Sequence, residues 1–200
     1  MKRRQVLLAA LYVPHRAWAN KVSPAHKLVE AATSQIGVTT LYDPAYAKLA
    51  YPNGDVPMDR GVCTDVVIRA YRQGLGIDLQ QLVHEDMDRN FASYPTMWGL
   101  SKTDSNIDHR RVPNLQRFFK RQNAELAMSD DYSSCEAGDL VTMMLPGNLP
   151  HIGIVSGTLN AAGIKPLVIH NIGGGAALED VLGLYRVTGR YRYFPGPPAS

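Results

Sequence analysis

Along the first half of the chain apolar positions recur every three or four residues, and along the second half they alternate or run together between turn formers. Leu28, Ala31, Ala32 and Ile36, preceded by Ser23-Pro24 and followed by Gly37, predict a first helix with a serine cap and a proline in its first turn. The run from Cys63 to Tyr71 predicts a second helix that opens on a cysteine and ends near Gly74 or Gly76. Asp78 caps a third pattern, with Leu79, Leu82, Val83, Met87 and Phe91 on one face, and Pro113 to Arg121 predicts a short fourth helix. His84, Glu85, Asp86 and Asp88 fall in the third pattern and read as a solvated charged face. The tyrosine-, proline- and glycine-rich stretch from Val38 to Gly61 predicts a loop leading into Cys63, and the stretch from Ser93 to Val112 an irregular connector.

Extended patterns follow at residues 138–145, 151–156 and 166–170, and again from Leu184 through Tyr193. Pro-Gly-Asn, Asn-Ala-Ala-Gly and the run Gly173-Gly174-Gly175 separate them as turns. Helices first and an antiparallel meander afterwards predict an α+β fold. Two hundred residues suffice for one domain with a substantial core. No internal repeat interrupts it, and the last residues, 196–200, read as a loose tail.

Lys2-Arg3-Arg4, the apolar run from Val6 to Val13 and Ala17-Trp18-Ala19 follow the plan of a secretory signal, with cleavage expected after Ala19. A periplasmic or extracellular protein is therefore expected, with residues 20–195 as its single domain. Loss of Lys2, Arg3, Arg4 and Arg16 with the signal leaves the 18 acidic residues about balanced by the remaining bases. No basic stripe interleaved with aromatics remains, which argues against a nucleic-acid partner. No later stretch has the roughly 18 apolar residues of a membrane span, so stable membrane insertion is not expected.

A cysteine at a helix N-terminus meets unpaired backbone N–H groups and a partial positive charge, both of which favour its thiolate. Cys63 is thus a candidate nucleophile, and its own N–H a candidate oxyanion donor. His151 opens one predicted strand and His170 closes the next, so an antiparallel pairing brings the imidazoles together as a base and its orienting partner. Two other readings stay open. In an exported protein Cys63 and Cys135 can pair as a disulfide within a non-catalytic binding module. Cys63, His84, His109, His151 and His170 are available zinc ligands, although none has the close pair spacing of zinc sites, and no cofactor is called for.

Four motifs in order, Cys63-Thr64-Asp65, Gly138-Asp139-Leu140-Val141, His151-Ile152-Gly153-Ile154-Val155 and Val168-Ile169-His170-Asn171, resemble those of NlpC/P60-type cysteine peptidases, relatives of the papain fold. Two local stretches, residues 60–65 and 107–114, look more like an uncharacterised secreted bacterial branch of that superfamily than like its well-known members. The resemblance implies a papain-like domain that cleaves an amide bond in peptidoglycan peptides. It places the nucleophile at Cys63, the base at His151 and the orienting residue at His170, with Asn171 as the alternative third residue. Asp59, Arg60, Asp65, Arg110 and Arg111 are candidates for gripping charged groups of the peptide. Val62 and Thr64-Asp65 depart from the Asp-Cys-Ser-Gly wording common in the family, so the usual substrate contacts are not carried over. Hydrolysis and transfer to another amine share an acyl-enzyme and remain equally open, as does the oligomeric state.

Overall fold

The computed structural model describes residues 22–196, so the expected signal sequence and residues 197–200 of the tail lie outside the described residues. Among the described residues four α-helices precede a five-stranded antiparallel sheet, making an α+β fold. Ser23 caps α1 (Pro24–Thr33) by accepting the His26 N–H, as the serine-proline pair predicts. Ile36 falls beyond the helix and is exposed, because the chain turns through Gly37 a few residues later. The long loop after α1 contains two short parallel strands, β1 (Leu41–Tyr42) and β2 (Arg60–Gly61). They lead directly into α2 (Cys63–Leu75).

Asp78 caps α3 (Leu79–Asn90) through the Gln80 N–H. This helix is less solvated on its acidic side than its charge pattern suggests. Asp86 is buried and accepts from Tyr94 Oη at 2.5 Å and from Arg121 Nε at 2.7 Å. His84 Nδ1 lies 3.0 Å from Asp108 Oδ2. The connector that follows carries a short 3-10 helix (Asp108–Arg110) immediately before α4 (Val112–Arg121).

The sheet comprises β3 (Leu140–Leu145), β4 (Leu149–Leu159), β5 (Pro166–Asn171), β6 (Ala176–Glu179) and β7 (Arg186–Tyr191), in the order β6-β5-β4-β3-β7. Two features differ from the expected meander. A strand, β6, follows the glycine run that reads as a plain turn, and β7 returns past the first four strands to pair with β3. The return closes the free edge of β3, which otherwise leaves unpaired N–H and C=O groups.

Side-chain alternation divides the core between the sheet's two faces. Leu140, Ile152, Ile154, Ile169 and Tyr191 pack with the helices, against Val66, Val67 and Phe119 among others. Val141, Met143, Val155 and Val168 pack on the other face with Cys135, Val181 and Leu182. No helix among the described residues is long and apolar enough to cross a membrane.

Candidate functional site

Cys63 is the first residue of α2, and the sequence on either side fixes where that helix begins. Val62 is extended (φ −114°, ψ −177°), and Asp65 turns its carboxylate back to accept the Val62 N–H at 2.7 Å. Gly61 precedes them at φ 153°, where a Cβ would come 2.9 Å from Asp65 Oδ2. A side chain at 61 would therefore collide with the group that starts the helix. Asp65 also receives both ends of the Arg110 guanidinium, Nε to Oδ1 and Nη2 to Oδ2, each at 2.9 Å. Arg110 reaches on to the Ala45 carbonyl, and Thr64 Oγ1 donates to the Arg110 carbonyl, so helix, loop and connector are tied at one point.

The thiol is only 4% exposed. Burial dominates its ionisation and pushes its pKa up to about 11, although the N–H groups of Ile152, Thr64 and Cys63 itself act in the opposite direction. The expectation of a thiolate favoured by the helix terminus is thus reversed in the resting protein. Water exclusion costs the anion more than three backbone dipoles return.

The Ile152 N–H reaches the sulfur because of how β4 and β5 separate. Their pairing includes Val155↔Val168 and Ile154↔Ile169 and goes no further toward the cysteine. Ile152 is the next outward-looking position, and its N–H faces the Cys63 sulfur in place of a β5 carbonyl. Asn171, at the end of β5, donates Nδ2 to the Gly61 carbonyl at 3.0 Å and accepts the Gly173 N–H. The open end of the β4–β5 ladder is therefore where the start of α2 is seated.

His151 and His170 share the other face, since His151 pairs with Met143 while Gly153 pairs with Val141. The strands bring the rings together edge to face at 5.0 Å between centroids, with His151 Nε2 and His170 Nδ1 2.9 Å apart. Gly153 permits this approach: a Cβ there would stand 3.0 Å from the Ile169 carbonyl and 3.1 Å from His170 Cβ, and inside contact distance of Val168 Cγ1. Glu179 Oε2 lies 3.0 Å from His170 Nε2, although not in the alignment of a directed hydrogen bond. Burial disfavours the charged form of both imidazoles, lowering His151 to about 3 and His170 below the usual range, while Glu179 opposes the latter shift.

The sequence candidates thus separate. His151 and His170 touch each other, and Cys63 reaches the backbone of the residue next to His151. Among the described residues no hydrogen bond joins the thiol to either imidazole. Asn171 does not contact the imidazole pair; its amide holds the approach to Cys63. Asp65 and Arg110 are bound to each other and tie the start of α2 to the connector, whereas Asp59 and Arg60 form an exposed ion pair with Asp43 nearby. Among the described residues Arg111 alone of that group has no carboxylate partner, and it lines a cleft of about 200 Å³ together with Cys63. The Cys63–Cys135 disulfide is not formed: both thiols are free, and they lie in clusters on opposite faces of the sheet. No three His, Cys, Asp or Glu side chains gather as a metal site among the described residues.

Sequence reasoning missed Glu179 and Trp98. The first sits in the unpredicted β6, whose only signal is a brief alternation after the glycines. The second lies in the irregular connector, where no periodicity operates.

Fold and site together define an α+β protein with a buried thiol at a helix start beside a hydrogen-bonded imidazole pair. The chain belongs to a family described as "Domain of unknown function (DUF1287)", whose model matches residues 29–193. It is 55% identical over 167 residues to a protein of Escherichia coli (strain K12) named "Uncharacterized protein YijF", an alignment covering 84% of this chain and 80% of that protein.

Proposed function

We propose that this protein is an exported cysteine hydrolase with an NlpC/P60-like, papain-related fold that cleaves an amide bond in peptidoglycan peptides. The observation that carries the reading is the 2.9 Å contact between His151 Nε2 and His170 Nδ1 on the strands flanking the seat of Cys63. The chain order of the motifs and the signal-like N-terminus support it independently.

The tautomers follow from the polar chain. A carboxylate at Glu179 favours a proton on His170 Nε2, which makes His170 Nδ1 an acceptor and His151 Nε2 its donor. His151 Nδ1 is then the lone pair available to take a proton. With the thiol raised and the imidazole lowered, both groups rest neutral, and no hydrogen bond joins them among the described residues; Cys63 therefore attacks the carbonyl carbon as its proton is relayed through an intervening water to His151. The sulfur–carbon bond forms while the carbonyl π pair moves to oxygen, and the Cys63 N–H contributes to stabilising that oxyanion. Collapse expels the amine, which takes the proton from His151. Water, deprotonated by the same imidazole, then hydrolyses the thioester.

The test incubates purified protein with soluble cell-wall peptides and follows new amino groups by mass spectrometry. Cleavage is expected with the wild type and is lost in Cys63→Ala and His151→Ala. Equal product in Cys63→Ala, or none with the folded wild type across peptides of every cross-link type, would reject the reading.

A further inference from the structure

Arginines around the start of α2 are matched with carboxylates in all but one case. Arg110 is held by Asp65, Arg69 by Asp55 and Arg60 by Asp59. Arg111 differs. Its guanidinium carbon stands 4.1 Å from the centre of the Trp98 ring, and Nη1 is buried with no hydrogen-bond partner among the described residues. Asp108 and Asp104 are close enough to be felt electrostatically, yet neither forms an ion pair with it. Asp108 Oδ2 is engaged by His84 and by the Asp104 N–H, and Asp108 Oδ1 is buried without a hydrogen-bond partner among the described residues rather than paired with Arg111.

An unpaired guanidinium pinned on an aromatic face is preorganised to receive a planar anion through two parallel N–H groups. Its surroundings point the same way. Arg111 is the N-cap of α4 and makes no side-chain cap; Pro113 has no N–H and the Asn114 N–H is bonded to the Arg111 carbonyl, so the Val112 N–H is the first-turn donor left open, and Val112 and Pro113 line the cleft. Cys63 lines the same cleft, whose volume of about 200 Å³ suits a short peptide segment rather than a folded partner.

We infer that Arg111, braced by Trp98, is a carboxylate-binding subsite, and that the substrate is a peptide bearing a free carboxylate close to the bond attacked by Cys63. The role of the subsite rests on the proposed hydrolase activity, but the binding itself needs no turnover and is measured separately. In the full chain carrying Trp18→Phe and Cys63→Ala, Trp98 is the sole tryptophan. Its emission is titrated with N-acetyl-Ala-Ala and with the same peptide ending in an amide.

The acid is expected to bind at least tenfold more tightly than the amide. Arg111→Gln should bring the two within twofold of each other without changing affinity for the amide, and Arg111→Lys should retain part of the preference, since it keeps charge without the fork. Equal binding of acid and amide, or a preference that survives Arg111→Gln, overturns the inference. Amine release from cell-wall peptides, run in parallel on protein with Cys63 intact, separates the two readings. Acid preference without amine release sinks the hydrolase and keeps the subsite, and amine release without acid preference does the reverse.

Discussion

Replacing Asp65 by alanine removes three interactions at once: the two 2.9 Å bonds from Arg110 and the 2.7 Å bond from the Val62 N–H. Both side chains of the pair are almost wholly buried, at 4% and 2% exposure, so solvent does not replace what is lost. Removing one partner of a buried pair costs about 3–5 kcal/mol, and loss of a helix cap about 1 kcal/mol. The two costs overlap in the same oxygens, which puts the expected loss at about 4 kcal/mol. For a domain of this size that is a fall in Tm of roughly 8–16 °C. Arg110→Met should lose a similar amount by stranding the carboxylate. The double variant strands no buried charge, although the Val62 N–H stays unpaired, so it should be more stable than additivity requires by about 2 kcal/mol. Urea unfolding with unchanged m-values, followed by far-UV circular dichroism, measures all three. A loss below about 1 kcal/mol for Asp65→Ala, or single effects that simply add, would show that the pair is solvated and that α2 starts without it.

Three further outcomes are expected. Native Cys63 should react with iodoacetamide at pH 8 at least about 100-fold more slowly than in urea, rising through pH 10 and above, because burial holds its pKa near 11 against about 8.5 for a free thiol; a midpoint below 8.5 by peptide mass analysis would contradict this. His109 is 1% exposed and burial lowers its pKa to about 4. The unfolded chain therefore binds this proton first as pH falls, and stability present above about 6.5 is lost toward pH 4, by up to about 3 kcal/mol. His151 and His170, lowered by burial as well, add to the loss in the same window, so His109→Leu should reduce the slope of the urea midpoint there without abolishing it, and an unchanged slope would place the loss elsewhere. Gly153→Ala should destabilise by about 1–3 kcal/mol through overpacking and separate the imidazoles, seen as altered His151 and His170 ring signals by NMR; unperturbed rings would mean β5 yields without moving them.

The sequence carried the four helices and their caps, because cap residues, proline positions and a 3.6-residue apolar period act within a few residues of one another. Ser23, Asp78 and the cysteine opening α2 are legible in this way. The pairing of His151 with His170 is legible as two histidines on successive strands, although their contact also depends on the register shift between Val155 and Leu159. What lay beyond reach depends on contacts distant in sequence. The return of β7 to β3, the strand after the glycines and the placement of Glu179 beside His170 are set by closure of the sheet, which no local pattern encodes. Tertiary packing also decided the charges. Arg110 and Arg111 are neighbours of the same type, yet one is buried against Asp65 and the other faces a cleft without a carboxylate, because the start of α2 meets only the first. It reversed the ionisation expected of Cys63 for the same reason: a helix terminus supplies its dipole wherever it lies, but the cost of burying a charge is fixed only when the rest of the chain has closed over it.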